Sequence, residues 1–485
     1  MKFLILAIAI NLFAIGPFFD GKFYPKDKTE LENYIKEKTT DASNYYSKIS
    51  KDPIKAVIVP HAGYEFSGQI AAISYSLIPK DIELFIILSP SHKNLIDGAV
   101  TTKETFNTPL GLIESDKDFV ETLVKNDLFK ENSSLFQMEH SIEVQLPFII
   151  YSFKKAKIVP ILLNTYDLSK ISRMAEEIKK TIDKTRKKTM IIISSDFSHY
   201  PDYQTAKKSD ASTVEAIKKL DEYYFDLYQK ITLSKNVKDL DTLACGSSAI
   251  MLGIKIAKLL NATEFVPIKI SNSYEENKKA SKENVVGYVS GIFISGKKEK
   301  DLKMEFTKEE KKELLEISKK SITDYFKGKK EIIGSDIHQN PKFNMPQAVF
   351  VTLYKNKYLR GCIGTTEPRF ALMDAVKYFS IQAAFNDPRF STLKEEELND
   401  IKIEISILSR LKGILDYKEI REKKDGVIAI SKQGSGLFLP QVWDYFKTKE
   451  EFLSELCEQK AGLNRDCWKN KETKLYTFTV DILQD

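Results

Sequence analysis

Four short runs of aliphatic and β-branched residues punctuate the first half of the chain: AVIVP (56–60), LFIILSP (84–90), KIVPILL (157–163) and TMIIISS (189–195). Runs this continuous predict strands buried on both faces. Between them, segments such as 167–183 and 204–220 place apolar residues at helical spacing among many Lys and Glu, which predicts amphipathic helices. Regular alternation of strand and helix over 17–298 predicts a layered α/β domain built on a mostly parallel sheet.

The pattern changes after SGKKEKDLKMEF (295–306), and the lysine-rich part of it, 299–306, reads as a linker. Thr307 and Glu310 form a capping-box signature. The run carrying Leu314, Leu315, Ile322 and Phe326 predicts a helix closed by Gly328. QAVFVTLYKNKYLRGCIG (347–364) predicts a hairpin turning near Asn356. KIEISIL (402–408), GVIAI (426–430) and LYTFTVDIL (475–483) predict further strands, with helices at about 369–385 and 441–461 between them. Strand and helix no longer alternate, so 307–485 is read as α+β. No internal repeat relates the two halves, and the chain is two unlike domains in tandem.

Composition narrows the function classes. A length of 485 residues calls for two to three domains, and 42% hydrophobic with 29% charged residues is globular composition. The net charge of +6 comes from interleaved Lys and Asp/Glu with no basic–aromatic stripe, which points away from a nucleic-acid partner. Four cysteines exclude a disulfide scaffold, and no pair has the C-x-x-C spacing of a zinc ribbon. No phosphate-cradling glycine string follows a strand, which argues against nucleotide use. Lys2 followed by FLILAIAINLFAI makes 1–16 an apolar segment shorter than the ~20 residues that span a bilayer. It reads as a signal peptide, a membrane anchor or a buried first element. Two destinations stay open: cytoplasmic, or exported or membrane-associated through 1–16.

The chemistry clusters at strand ends. His61 follows AVIVP, His92 follows LFIILSP, and Asp196 and His199 follow TMIIISS. In open α/β sheets the carboxyl ends of strands share one crevice, so residues remote in sequence can meet there. Cys245, in ACG ahead of an apolar helix, sits where the helix dipole favours thiolate. Two imidazoles and a thiolate suit iron, copper or zinc. His140 and Glu143 in MEHSIEVQLP share a helix face. Singly, each residue is explained as well by solvation or packing; jointly they point to a site. A metal centre, a Cys–His nucleophile pair and a crevice that only binds a partner or peptide would all use these residues. In the second domain, Cys362 lies between two glycines, with Arg360, Asp387 and Arg389 as anion-contact candidates and Gly434 and Gly436 at a turn. Cys362 is either a tightly packed small hydrophobe or a reactive centre.

GKFYP (21–25), PHAGYEFSG, LSPSHK, MEHSIEVQLP, SSDFSHY and ACG together resemble the Memo family, in order, over 17–298. That family is similar in fold to class III extradiol dioxygenases, which hold Fe(II) with two His and a carboxylate. The resemblance implies metal residues His61, His92 and Cys245, with Asp196 and His199 as acid/base groups beside them. Cysteine in place of the dioxygenase carboxylate sets ring cleavage apart from what the resemblance implies, and Ser247 and Ser248, where the family carries histidine after ACG, imply an altered outer shell. YLRGCIGT, AAFNDPRF, IEISIL and GLFLPQVW resemble the AMMECR-type family over about 303–485, with Cys362 as its candidate catalytic centre. Memo-like and AMMECR-type proteins belong, with a radical SAM protein, to the AmmeMemoRadiSam grouping. The resemblance therefore implies an iron-dependent redox or oxygen-handling protein acting on a small molecule or peptide, with a radical SAM partner.

Overall fold

The computed structural model describes residues 14–41, 52–296, 304–329 and 333–484. Most of the apolar 1–16 segment and the start of the lysine-rich linker lie outside the described residues. Among the described residues no helix is long and apolar enough to cross a membrane. The chain divides into two compact units, residues 1–301 with 335–341, and residues 302–334 with 342–485.

The first unit is an α/β layer structure. Its strands are β1 (Ile54–Val59), β2 (Leu84–Ser89), β3 (Ala99–Thr101), the hairpin β4 (Phe106–Thr108) and β5 (Gly111–Ile113), β6 (Phe129–Glu131), β7 (Lys157–Leu163), β8 (Thr189–Ser194), β9 (Glu264–Asn272) and β10 (Gly287–Ile294). Eight of them form one sheet in the order β6-β3-β7-β2-β8-β1-β10-β9. Its centre, β7-β2-β8-β1, is parallel throughout, and antiparallel β10 and β9 extend one edge. The four central strands are the four apolar runs of the sequence, and every residue of β2 is buried. One face packs Val57, Val59, Phe85, Ile87 and Ile192 against helices that include Tyr64–Leu77 and Leu146–Ser152. On the other face helix Ser247–Leu259 comes so close that a Cβ on Gly253 would lie 2.2 Å from Ile193 Cδ1.

In the second unit the Thr307 capping box is formed and starts helix Lys308–Phe326, with Gly328 at φ +81° just beyond its end. β11 (Val349–Lys355) and β12 (Tyr358–Gly364) form the predicted hairpin, Asn356 and Lys357 taking φ of 50° and 69° at the turn. With β13 (Ile401–Leu408) and β18 (Val480–Gln484) they make an antiparallel sheet, β12-β11-β13-β18. Helices Lys308–Phe326 and Leu372–Phe385 cover one face through Val349, Val351, Leu353, Ile403 and Ile405. A second antiparallel sheet, β14-β17-β15-β16, uses β14 (Lys412–Ile414), β15 (Gly426–Ile430), β16 (Ser435–Phe438) and β17 (Lys474–Phe478).

Two expectations for this unit change. The strand predicted over 475–483 breaks at Thr479, so that β17 and β18 serve different sheets. The helix predicted over 441–461 is a 3-10 turn Pro440–Tyr445, an α-helix Lys449–Glu455 and a π-turn Leu456–Lys460. The restart has a local cause: Thr448, extended, accepts the Glu451 N–H and caps a new helix. Cys457 and Cys467 form a disulfide in the core of this unit, a pairing with no spacing signature in the sequence.

The stretch at 17–24 is fastened by Glu143, which is 4% exposed. Its carboxylate accepts from Phe18 N (2.9 Å), Phe19 N (2.8 Å) and Tyr24 Oη (2.7 Å). Glu143→Ala leaves the buried Tyr24 hydroxyl and two part-buried backbone donors without their acceptor and should cost about 1–3 kcal/mol. The expected outcome is a melting temperature several degrees lower, with faster proteolysis near residues 17–26. An unchanged melting temperature would refute this fastening role.

Candidate functional site

The strand ends deliver the polar residues to one crevice. Pro60 and His61 follow β1, Pro90 to His92 follow β2, and Ser194 ends β8 just before Ser195 and Asp196. Parallel register brings β1 and β2 to either side of β8, so the three chain ends emerge side by side.

His61 is 1% exposed and fully oriented. Ser194 Oγ donates its own hydrogen to Ser141 O at 2.7 Å. It therefore accepts from Gln145 Nε2 (3.1 Å) and from His61 Nδ1 (2.9 Å). Gln145 cannot turn over, because Tyr75 Oη donates to its Oε1 (3.0 Å) while its Nε2 also reaches Pro60 O (3.0 Å). The proton thus sits on His61 Nδ1, and the Nε2 lone pair faces Cys245 Sγ at 3.1 Å. The backbone N–H of His61 donates to Asp196 Oδ1 at 2.7 Å.

His92 is held the same way by a different group. Glu139, 3% exposed, accepts from His92 N (2.7 Å) and His92 Nδ1 (2.9 Å), as well as from Ser141 Oγ (2.8 Å). Burial alone would raise the Glu139 carboxyl; the His92 hydrogen bond and charge, with the backbone donors, overcome it and hold it at about 2. An ionised carboxylate only accepts, so His92 Nδ1 carries a proton and Nε2 is left for a ligand.

His140 completes the cluster. Its ring stacks on His92 at 4.5 Å between centroids and meets His61 edge-on at 5.4 Å. Among the described residues, the metal-capable group is His61, His92 and His140, with one ligand atom from each lying within 4.8 Å of the other two. Cys245 touches this group at His61 and also lies 3.6 Å from Asp196 O. Gly246 permits that placement, because a Cβ there would meet Ser194 O at 2.7 Å.

Ionisation follows burial. Burial, then the charges of the neighbouring imidazoles, push His61 well below its ordinary value. Burial brings His140 and His199 down to about 4 each. Burial raises Asp196 to about 7. The helix dipole does not make Cys245 a thiolate here: burial and the nearby Asp196 push the thiol well up. His199 Nε2 is buried without a hydrogen-bond partner. Cys362 belongs to the second unit, half-buried on β12, where Thr352 Oγ1 donates to its sulfur at 3.3 Å. Asp387 accepts the Cys362 N–H and is bonded in turn to Arg389, while Arg360 pairs with Glu397, so these charges brace the edge strand.

Sequence reasoning singled out His140 but not Glu139, Ser194 and Gln145, which orient the ligands. Glu139 and Gln145 lie within MEHSIEVQLP and Ser194 within the run ending β8, so their signal was position beside a candidate, not type. Glu143, grouped with His140 by spacing, holds the 17–24 stretch instead.

A His/His/His cluster, with His61 buried, His140 half-buried and His92 exposed, and with an adjoining cysteine at the carboxyl edge of a parallel sheet, defines a metal-capable α/β domain. The chain belongs to the Memo-like protein family, whose model matches residues 17–292. Residues 315–483 match the AMMECR1 family, so the chain is a fusion of the two. A MEMO1 family protein of Methanobrevibacter smithii is 33% identical over 288 residues, covering 56% of this chain and 97% of that protein. The MEMO1 family protein of Aquifex aeolicus is 34% identical over 282 residues, covering 56% of this chain and 97% of that protein. The uncharacterized protein PH0010 of Pyrococcus horikoshii is 34% identical in sequence, covering 35% of this chain and 88% of its own, with a TM-score of 0.32.

His199 generates a pH prediction. Its folded pKa of about 4 lies below the ordinary 6.5, so the folded state binds fewer protons in that window. Its contribution is full above pH 6.5 and is lost as pH falls towards 4. His199→Asn should flatten the dependence of unfolding free energy on pH there by up to about 1.4 kcal/mol per pH unit. Urea melts of metal-free protein between these pH values test this; equal slopes for both proteins would refute it.

Proposed function

We propose that the Memo-like domain holds a transition-metal ion, iron ahead of copper or zinc, on His61, His92 and Cys245, and works as a redox or oxygen-handling protein. The observation that carries this reading is the commitment of both Nδ1 protons, to Ser194 and to Glu139, which leaves two Nε2 lone pairs, that of His61 facing the Cys245 thiol at 3.1 Å. Two imidazoles and a sulfur form a borderline-soft donor set that suits these ions. His140, within the same cluster, is a fourth donor or a neighbour that shapes the open side. When bound, the ion supplies Lewis acidity and, if iron or copper, electron transfer.

The surrounding residues do the positioning and the proton work. Ser194 and Glu139 fix the two ring orientations. Asp196, at about 7, holds or releases a proton near neutral pH. His199 presents a neutral, unpartnered Nε2 that can accept one. The substrate is a small molecule or peptide reaching the crevice at the strand ends. The tandem with an AMMECR1 domain supports a shared process within the AmmeMemoRadiSam grouping, with a radical SAM protein as partner.

Protein purified without chelator should carry about one equivalent of iron or copper per chain by elemental analysis. His61→Ala with Cys245→Ala should abolish it, and Glu139→Gln should weaken affinity by about 10- to 100-fold. Unchanged metal content in the double variant would sink the assignment. His140→Ala separates the two donor sets: retained metal supports His61/His92/Cys245, and lost metal shifts the assignment to the three imidazoles.

A further inference from the structure

The AMMECR1 unit has its own polar cluster, on the face of the β12-β11-β13-β18 sheet turned away from its two helices. Register sets Cys362, Thr352, Glu404 and Gln484 in one row across the four strands. Thr352 donates to the Cys362 sulfur at 3.3 Å. Gln484 Nε2 donates to Glu404 Oε2 at 2.6 Å. From the 3-10 turn above, Gln441 Nε2 reaches Ser406 Oγ (3.2 Å) and Glu404 Oε1 (3.5 Å).

Two acceptors in this cluster lack a complement. Glu404 is 7% exposed, yet its partners are neutral amides, and no lysine or arginine pairs with it among the described residues. Lys402, two residues earlier on the same strand, is exposed and forms no ion pair with it. A buried carboxylate ordinarily has a cation beside it. The second acceptor is Gln441 Oε1, which is buried with no hydrogen-bond partner. Turning the amide over would not cure this, since it would set an oxygen against the carboxylate. Tyr354 and Tyr445 stand at the rim: Tyr445 is 82% exposed, and the Tyr354 phenol is raised by burial and by the neighbouring Glu404, Cys362 and Tyr445. Aromatic residues close to a buried acceptor favour an organic cation over a metal ion.

We infer that this face binds a small molecule bearing a primary ammonium, with its cation on Glu404 and Gln441 and its other end against the Cys362 thiol. An ammonium offers three donors, enough for both unmet acceptors. Adjacent strands lie about 4.8 Å apart, so Cys362 and Glu404, two strands from each other, bracket a chain of roughly three to five bonds. Glycine beside the thiol serves packing and not the ligand: a Cβ on Gly361 would meet Ala383 O of the covering helix at 2.1 Å. This site is independent of any metal in the other unit.

The test uses thiosulfonate reagents on the full chain, with Cys362 modification quantified by peptide mapping. The thiolate attacks the reagent sulfur, a mixed disulfide forms and methanesulfinate leaves. Rates are normalised to those with 2-mercaptoethanol. The cationic 2-aminoethyl reagent should modify Cys362 on the order of tenfold faster than the neutral methyl reagent, as expected for one opposed charge in a half-buried site. Millimolar 1,4-diaminobutane should slow labelling by the methyl reagent, and 1,4-butanediol should not. Glu404→Gln should bring the rate ratio to about one and abolish protection by the diamine. Equal normalised rates in the wild-type chain would overturn the inference, as would a preference that survives Glu404→Gln in a folded protein. If that variant does not fold, the wild-type ratio and the diamine protection decide the matter by themselves.

Discussion

One proton, on His61 Nδ1, organises the first domain's site. Ser194 Oγ can accept it only because its own hydrogen goes to Ser141 O. That arrangement depends on the helix His140–Glu143 lying over the end of β8, and on Gln145 being locked by Tyr75 from helix Tyr64–Leu77. Remove any link and the ring is free to carry its proton on Nε2, where it would present an N–H to Cys245 in place of a lone pair. Helices and sheet therefore act on the chemistry through a tautomer and not merely by bringing residues close.

The same crevice keeps most of its ionisable groups neutral. Burial lowers His61, His140 and His199 and raises Asp196 and Cys245. Glu139 is the exception, held at about 2. A low-dielectric pocket with one firm negative charge and several lone pairs has an electrostatic deficit of positive charge. A cation entering there would lower the thiol and Asp196 together, so its binding is expected to be coupled to proton release.

Elements with a local cause were legible in the sequence. The four apolar runs became the central parallel strands because no other layer buries both faces of a strand so fully. The Thr307 capping box and the Asn356 turn are likewise written in a few adjacent residues. What was hidden depends on tertiary partners. LYTFTVDIL reads as one strand, and only the presence of two sheets divides it at Thr479. At the site, His61, His92 and Asp196 were visible because they follow strands whose ends converge, and Cys245 because it stands ahead of an apolar helix. Glu139 was not, since a glutamate beside a histidine looks the same whether it is solvated or buried under another strand's imidazole. The Cys457–Cys467 pair was hidden for the same reason.

Three buried glutamates show how partners, and not burial, decide what a carboxylate does. Glu139, Glu143 and Glu404 are 3%, 4% and 7% exposed. Glu139 faces an imidazole as well as backbone donors, and its pKa falls. Glu143 faces neutral donors, two backbone N–H groups and the Tyr24 hydroxyl, with Asp20 nearby, and its pKa rises because burial outweighs hydrogen bonding. Neutral donors satisfy the geometry of a carboxylate without supplying its counter-charge. Glu143 can tolerate that because three donors fasten a segment around it, whereas Glu404 receives only two amides, one of them at 3.5 Å. By this comparison Glu404 is the least compensated of the three, which is why its surroundings are better explained by a cationic visitor than by structure alone.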